Sequence, residues 1–194
     1  MKTSYHHGDL ASELVREGIS QLNIGGVDSI TLRGVCGALG VSQSAAYHHF
    51  KNKEALLHAI AEQGEIELTR RFKAALLGNN KQSDKAAISR FDSLGRAYIT
   101  FAIEEPSLFS LTFGPMCIYH TNQIEAESMS MLHQSLIELA ERGLILRKNV
   151  ESLALLAWTS VHGFSQLLIG GLMEKEMIDV LLSSIRELVL AKKN

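Results

Sequence analysis

Apolar residues recur at three- and four-residue spacing along nearly all of this 194-residue chain, and only two prolines interrupt them. That period stacks apolar side chains on one face of a helix; the strict alternation that a half-buried strand needs is absent. Leu10, Leu14, Gly18, Ile19 and Leu22 mark the first such face, which ends at Gly25-Gly26. Thr31 is placed to cap a second helix with Leu32, Val35, Cys36 and Leu39 inward and Gly40 as its stop. Ser42 opens a third, short helix whose inward residues are Ala45, Ala46 and Phe50. Asn52 then opens a long fourth helix, with Leu56, Ile60, Gly64, Leu68 and Phe72 inside and Gly78 at its end.

Helical spacing continues beyond the break at 78–83. One helix is expected over 84–105, burying Phe91, Leu94, Tyr98, Phe101 and Ala102 and stopped by Pro106. A short segment, 107–113, closes at Gly114-Pro115. The next helix starts at Asn122, where Glu125 completes a capping-box pattern, and runs to Gly143. Two more, 150–169 and 174–191, flank Gly170-Gly171. The expectation is an all-α fold of about nine helices: a three-helix N-terminal domain over 8–68, with its core in 10–50, then a larger helical bundle over 69–194.

Composition narrows the function classes. With 46% hydrophobic and 21% charged residues the chain reads as a compact soluble protein. The opening residues are polar and His-rich, unlike a signal peptide, and no run reaches the ~18 continuous apolar residues of a membrane span. The richest, 153–172, is broken by Ser160, His162, Ser165 and Gln166. Cys36 and Cys117 lie far apart without metal-site spacing, which fits a reducing cytoplasm. No nucleophile elbow, phosphate loop or paired-histidine metal helix is found, so neither an enzyme nor a cofactor is expected. The net charge of -2 and the lack of basic tails argue against an architectural DNA binder. Charge is unevenly spread: residues 1–53 hold five basic against four acidic side chains, and the rest holds 14 against 17.

Residues 31–50 (TLRGVCGALGVSQSAAYHHF) fit a DNA-reading pair of helices. Val41 and Ala46 bury the second helix of the pair against Val35 and Leu39. Its free face then carries Gln43, Ser44, Tyr47 and His48, short or planar groups suited to base edges and phosphates. Lys53, at the mouth of the fourth helix, is placed for a phosphate. Arg33 and Ser42 complete the candidate DNA-binding set. The adjacent His48 and His49 point apart on a helix and make a poor metal pair, so no metal site is expected. His6 and His7 read as an unstructured arm.

Here the sequence resembles the TetR family of bacterial regulators. The carrying residues are Thr31-Leu-Arg, Leu39-Gly-Val-Ser, Tyr47-His-His-Phe and Lys53-Glu-Ala-Leu-Leu57, with Tyr5-His-His-Gly-Asp-Leu10 similar to the start of many members. The resemblance implies a homodimer that reads near-palindromic operator DNA, with phosphate contacts from Thr31, Tyr47, His49 and Lys53. It implies base-edge contacts from Gln43, Ser44 and Ala45, with His48 beside them. It departs from the family at Gly34, where many members carry a glutamate that would complete a capping box, and at Cys36-Gly37. Two glycines in so short a helix cost about 1 kcal/mol each relative to alanine.

The second half holds the candidate effector site. Phe101, Phe109, Phe113, Met116, Met129, Met131, Trp158 and Phe164 are large apolar groups, with His120, His133 and His162 as polar handles, and together they could line a mostly apolar cavity. For most of these, ordinary core packing competes with that reading. Trp158-Thr-Ser-Val-His162-Gly163 is similar to a Trp-His-Gly signature of one TetR subgroup, alongside Arg96-Ala-Tyr-Ile-Thr-Phe101 and 106–114. For His162 a structural hydrogen bond competes with ligand contact. The final two helices, with Leu153, Ala157, Val161, Leu168, Ile178, Leu181, Leu182, Ile185, Leu188 and Val189, carry more apolar surface than one face needs, which suggests a subunit interface. The function expected is a dimeric repressor released from its operator by a small molecule. An activator or a ligand-independent regulator is the alternative within the same class, and an enzyme with no recognisable active-site motif is the alternative from another.

Overall fold

Thr31 caps a helix as its position predicts: its Oγ1 accepts the Gly34 N–H at 2.9 Å and α2 (Leu32–Leu39) follows. Ser42 does the same for α3 (Gln43–His49), accepting the Ala45 N–H at 3.2 Å, and Asn52 Oδ1 accepts the Ala55 N–H at 2.8 Å at the start of α4 (Lys53–Leu76). Each cap satisfies one of the N–H groups that a helix start leaves unpaired. Gly40 ends α2 at φ 67°, and its N–H returns to the carbonyls of Cys36 and Gly37.

The computed structural model describes residues 10–78, 81–114 and 127–191. The expected arm with His6 and His7, Met116, Cys117, His120 and the Asn122/Glu125 capping box lie outside these residues. Ahead of α2 runs α1 (Leu10–Ser29), broken at Gly26; after α4 come α5 (Asp84–Glu104), α6 (Pro106–Thr112), α7 (Glu127–Glu141), α8 (Val150–Ile169) and α9 (Ile178–Leu190). Among the described residues there are nine α-helices, two 3-10 turns and no strand, so the all-α expectation holds. Two details differ. Pro106 does more than stop α5: it opens α6, where its missing N–H costs nothing. The last helix begins at Ile178 behind a 3-10 turn, Lys175–Met177, rather than at Glu174. One helix, Arg147–Ile169 with its leading turn, is long and apolar enough to cross a membrane by length and composition alone, although Ser160, His162, Ser165 and Gln166 interrupt its apolar run as the sequence shows.

The chain divides into two compact units, Met1–Gly64 with Ser107–Asn122, and Glu65–Pro106 with Gln123–Asn194. In the first, Leu14, Leu22, Ile30, Val35, Ala46, Leu56 and Ile60 make a core from α1 to α4. Gly18 lets α1 approach α4 closely, since a Cβ there would stand 2.5 Å from Ile60 Cδ1. In the second unit α5 is central, burying Phe91, Leu94, Tyr98, Ile99, Phe101 and Ala102. Arg90 pairs with Glu138 to tie α5 to α7, and Arg186 with Asp92 at 2.6 Å to tie α9 to α5.

Candidate nucleic-acid interface and effector unit

The reading face is set by what α3 buries. Ala46 is fully enclosed and Phe50 nearly so, which turns Gln43, Ser44, Tyr47, His48 and His49 outward. Tyr47 is 51% exposed, too much for a core tyrosine. Thr31, Arg33 and Ser42 are exposed as well, while Ala45 is only half-exposed. The hydroxyls of Thr31 and Ser42 accept capping N–H groups, which leaves each hydroxyl hydrogen to donate. The ten expected contact residues thus sit on α2, α3, their N-caps and the first turn of α4, within one compact unit.

Lys53 is placed differently from the rest. It is half-buried, and its Nζ donates to the backbone carbonyl of Val27 at 2.8 Å, across 26 residues. No feature of the local sequence signals this bond, because it depends on how the end of α1 meets the start of α4.

The effector residues part company. Phe101, Trp158 and His162 belong to the second unit, and Phe109 and Phe113 to the first, where their rings stack tilted at 5.0 Å. Phe101 and Phe109 are completely buried and serve as core. The Arg71 guanidinium lies 5.4 Å from the Phe101 ring centroid. Trp158 and His162 do come together, one helical turn apart, with ring centroids 5.9 Å from each other.

Sequence reasoning placed Tyr98 in the core but missed its role as the hub of this cluster. Its hydroxyl lies 2.9 Å from His162 Nδ1 and also takes a hydrogen bond from Trp158, whose indole can only donate. Tyr98 therefore gives its own hydrogen to Nδ1. Burial pushes the Tyr98 phenol well above its ordinary range and the His162 imidazole below its own. A neutral imidazole accepting at Nδ1 carries its proton on Nε2. Glu65 adds a half-buried carboxyl close enough to raise the Tyr98 pKa further. Burial raises the Glu65 pKa too, opposed by hydrogen bonds from the Ser128 N–H at 3.2 Å and from Ser128 and Thr69 hydroxyls.

Capped α2 and α3 with an outward polar face, joined to a separate all-helical unit, define a helix-turn-helix regulator class. The comparisons make that more specific. Residues 14–60 match the family model described as bacterial regulatory proteins, tetR family, and residues 91–189 match the tetracyclin repressor-like C-terminal domain. The second match alone covers more than half the chain, and the protein belongs to the tetR family of bacterial regulatory proteins.

Among curated proteins, the chain is 49% identical over 49 residues to the tetracycline repressor protein class A from transposon 1721 of Escherichia coli, a stretch that is 25% of this chain and 23% of that one. The chain thus matches about a quarter of the length of these curated relatives. Among solved structures, a protein with unknown function from Rhodococcus sp. RHA1 is 27% identical with a TM-score of 0.78, covering 98% of both chains. A TetR variant from Acinetobacter baumannii AYE in complex with minocycline is 20% identical with a TM-score of 0.62, covering 92% of each, and shares the fold.

Proposed function

We propose that the protein is a homodimeric repressor that reads a near-palindromic operator through α3 and is released by a small-molecule effector. The carrying observation is the outward face of α3, where Gln43, Ser44, Tyr47 and His48 stand free of the protein's own core. Gln43, Ser44 and Ala45, with His48 beside them, contact base edges. Thr31, Tyr47, His49 and Lys53 contact phosphates, and Arg33 and Ser42 border the same surface. The reading unit is 8–68 and the regulatory unit 69–194. A second copy covers the exposed apolar residues of the last two helices and the turn between them: Leu155, Leu167, Leu172, Met177, Val180 and Leu188.

The effector is bound in the second unit, against Trp158 and His162, where an incoming hydrogen-bonding group competes for the Tyr98–His162 pair. The minocycline in the Acinetobacter structure supports a small-molecule ligand. The ligand shifts the DNA-binding equilibrium only by its differential affinity for the two conformations. The protein works without catalysis, in the cytoplasm, where its operators are.

Selection from a pool of random-sequence duplexes tests the central claim. We expect enrichment of an inverted repeat whose half-sites lie about 34–36 Å apart, one helical turn or a multiple of it. Retention of all duplexes alike, falling steeply with salt, would instead mark a non-specific binder. Failure to retain any duplex would return the question to chemistry outside DNA.

A further inference from the structure

The end of α1 is built in a costly way. At Gly26 the backbone takes φ 70° and ψ -174°, a conformation that essentially only glycine occupies. A Cβ there would meet nothing within 4 Å, so the requirement is conformational and not a matter of space. After the break one more turn follows. Ser29 Oγ donates to the carbonyls of Gly26 at 2.7 Å and Gln21 at 3.1 Å, and the Ile30 N–H donates to Val27 O at 3.3 Å. A helix that needed only to stop could end on a glycine, as α2 does at Gly40. Here the break also turns the Val27 carbonyl toward the first residue of α4, where Lys53 Nζ meets it at 2.8 Å.

That contact bears on DNA binding. A lysine side chain is long and rotamer-rich, and an ammonium at a helix N-terminus is repelled by the helix dipole. An ammonium has three donors, and one bond to Val27 leaves two for a phosphate. We propose that the Val27 carbonyl, turned by the break at Gly26, aims the Lys53 ammonium at a DNA phosphate, making Gly26 and Val27 positioning residues for the interface. The inference rests on the reading of the N-terminal unit as DNA-binding, and extends it to the far end of α1.

The test is a double-mutant cycle on the selected duplex, with affinity measured across a range of salt concentrations. Lys53→Ala should weaken binding about a hundredfold, as loss of one charge-assisted bond in each half-site would, and reduce the salt slope by about two. Gly26→Ala should lower both quantities in the same direction while Lys53 is present. In the Lys53→Ala background it should change neither. Lys53→Arg, which can reach both the carbonyl and a phosphate, should restore the slope. Additive losses, or a Gly26→Ala variant with the wild-type slope, overturn the positioning role while leaving the DNA-binding reading intact.

A second measurement does not depend on Gly26→Ala folding. In the DNA-free protein, the Lys53 ammonium should show slowed hydrogen exchange by nitrogen-resolved NMR relative to exposed Lys51. Equal exchange at the two lysines overturns the proposal. If the wild-type chain enriches no duplex at all, the underlying reading of the headpiece fails first.

Discussion

At the scale of single residues the informative groups are those whose charge the fold disfavours. His162 is held neutral because burial penalises its cation, so its folded pKa lies below the ordinary value of 6.5. The stability it contributes is present above pH 6.5 and is lost as pH falls through the folded pKa. Trp158 is the only tryptophan in the chain and its ring faces His162, so its emission reports this step. We expect a fluorescence transition below pH 6.5 that disappears in His162→Asn. A transition that persists in the variant would assign it to another group. Tyr98→Phe should lower stability by about 1–3 kcal/mol, because it removes the buried hydroxyl that pairs with both Trp158 and His162, a loss that thermal melts will register. Glu65 has the opposite sense: its pKa is raised above 4.5, so its contribution is full below that pH and declines as pH rises through the folded value. Glu65→Gln keeps an acceptor for the Ser128 N–H without the charge. It should melt about 2 °C higher than the parent at pH 7 and match it near pH 4. An equal difference at both pH values would show that the buried charge is not the cause.

At the scale of elements, α2 is the place where helix propensity and local space can be separated. Gly37 is exposed, has helical backbone, and offers open space to a Cβ, whereas Gly40 sits at φ 67°. Gly37→Ala should therefore raise stability by roughly 0.5–1 kcal/mol, and Gly40→Ala should lower it by about 1 kcal/mol or more. Thermal melts of the two variants decide this; a destabilised Gly37→Ala would mean that something outside the chain's own described contacts needs that open face. The caps at Thr31, Ser42 and Asn52 were legible in the sequence because each depends on a residue and the backbone three positions later. The break at Gly25-Gly26 and the span of α8 were legible for the same local reason. The Lys53–Val27 bond, the Tyr98 hub and the completely buried state of Phe109 were not. Each depends on which helix packs beside which, and the 3.6-residue period does not encode that. The same limit explains the interface residues: Ala157, Val161, Leu182, Ile185 and Val189 look available by spacing, yet the protomer's own core takes them.

At the scale of the whole molecule, the apolar residues that the protomer leaves exposed carry the argument. Leu155 at 59%, Val180 at 50% and Leu188 at 59% exposure stand on α8 and α9, whose opposite faces are already packed. A helix apolar on two faces passes a composition test for membrane crossing, as Arg147–Ile169 does, but it also suits a helix with a core on one side and a second subunit on the other. Two copies joined there would present two α3 helices to one duplex. The second contact is then intramolecular, which raises affinity by about 10²–10⁴ over one copy. Placing a charge on this face separates the possibilities. Leu155→Glu with Val180→Glu should leave helical content and the melting transition of the protomer largely intact, since neither side chain belongs to its core. The variant should sediment as a monomer at micromolar concentration where the parent sediments as a dimer. It should also bind the selected duplex about a hundredfold more weakly while still protecting a single half-site. A variant that remains dimeric would move the interface elsewhere. A monomeric variant with undiminished operator affinity would remove the need for two copies on the DNA, and with it the palindrome.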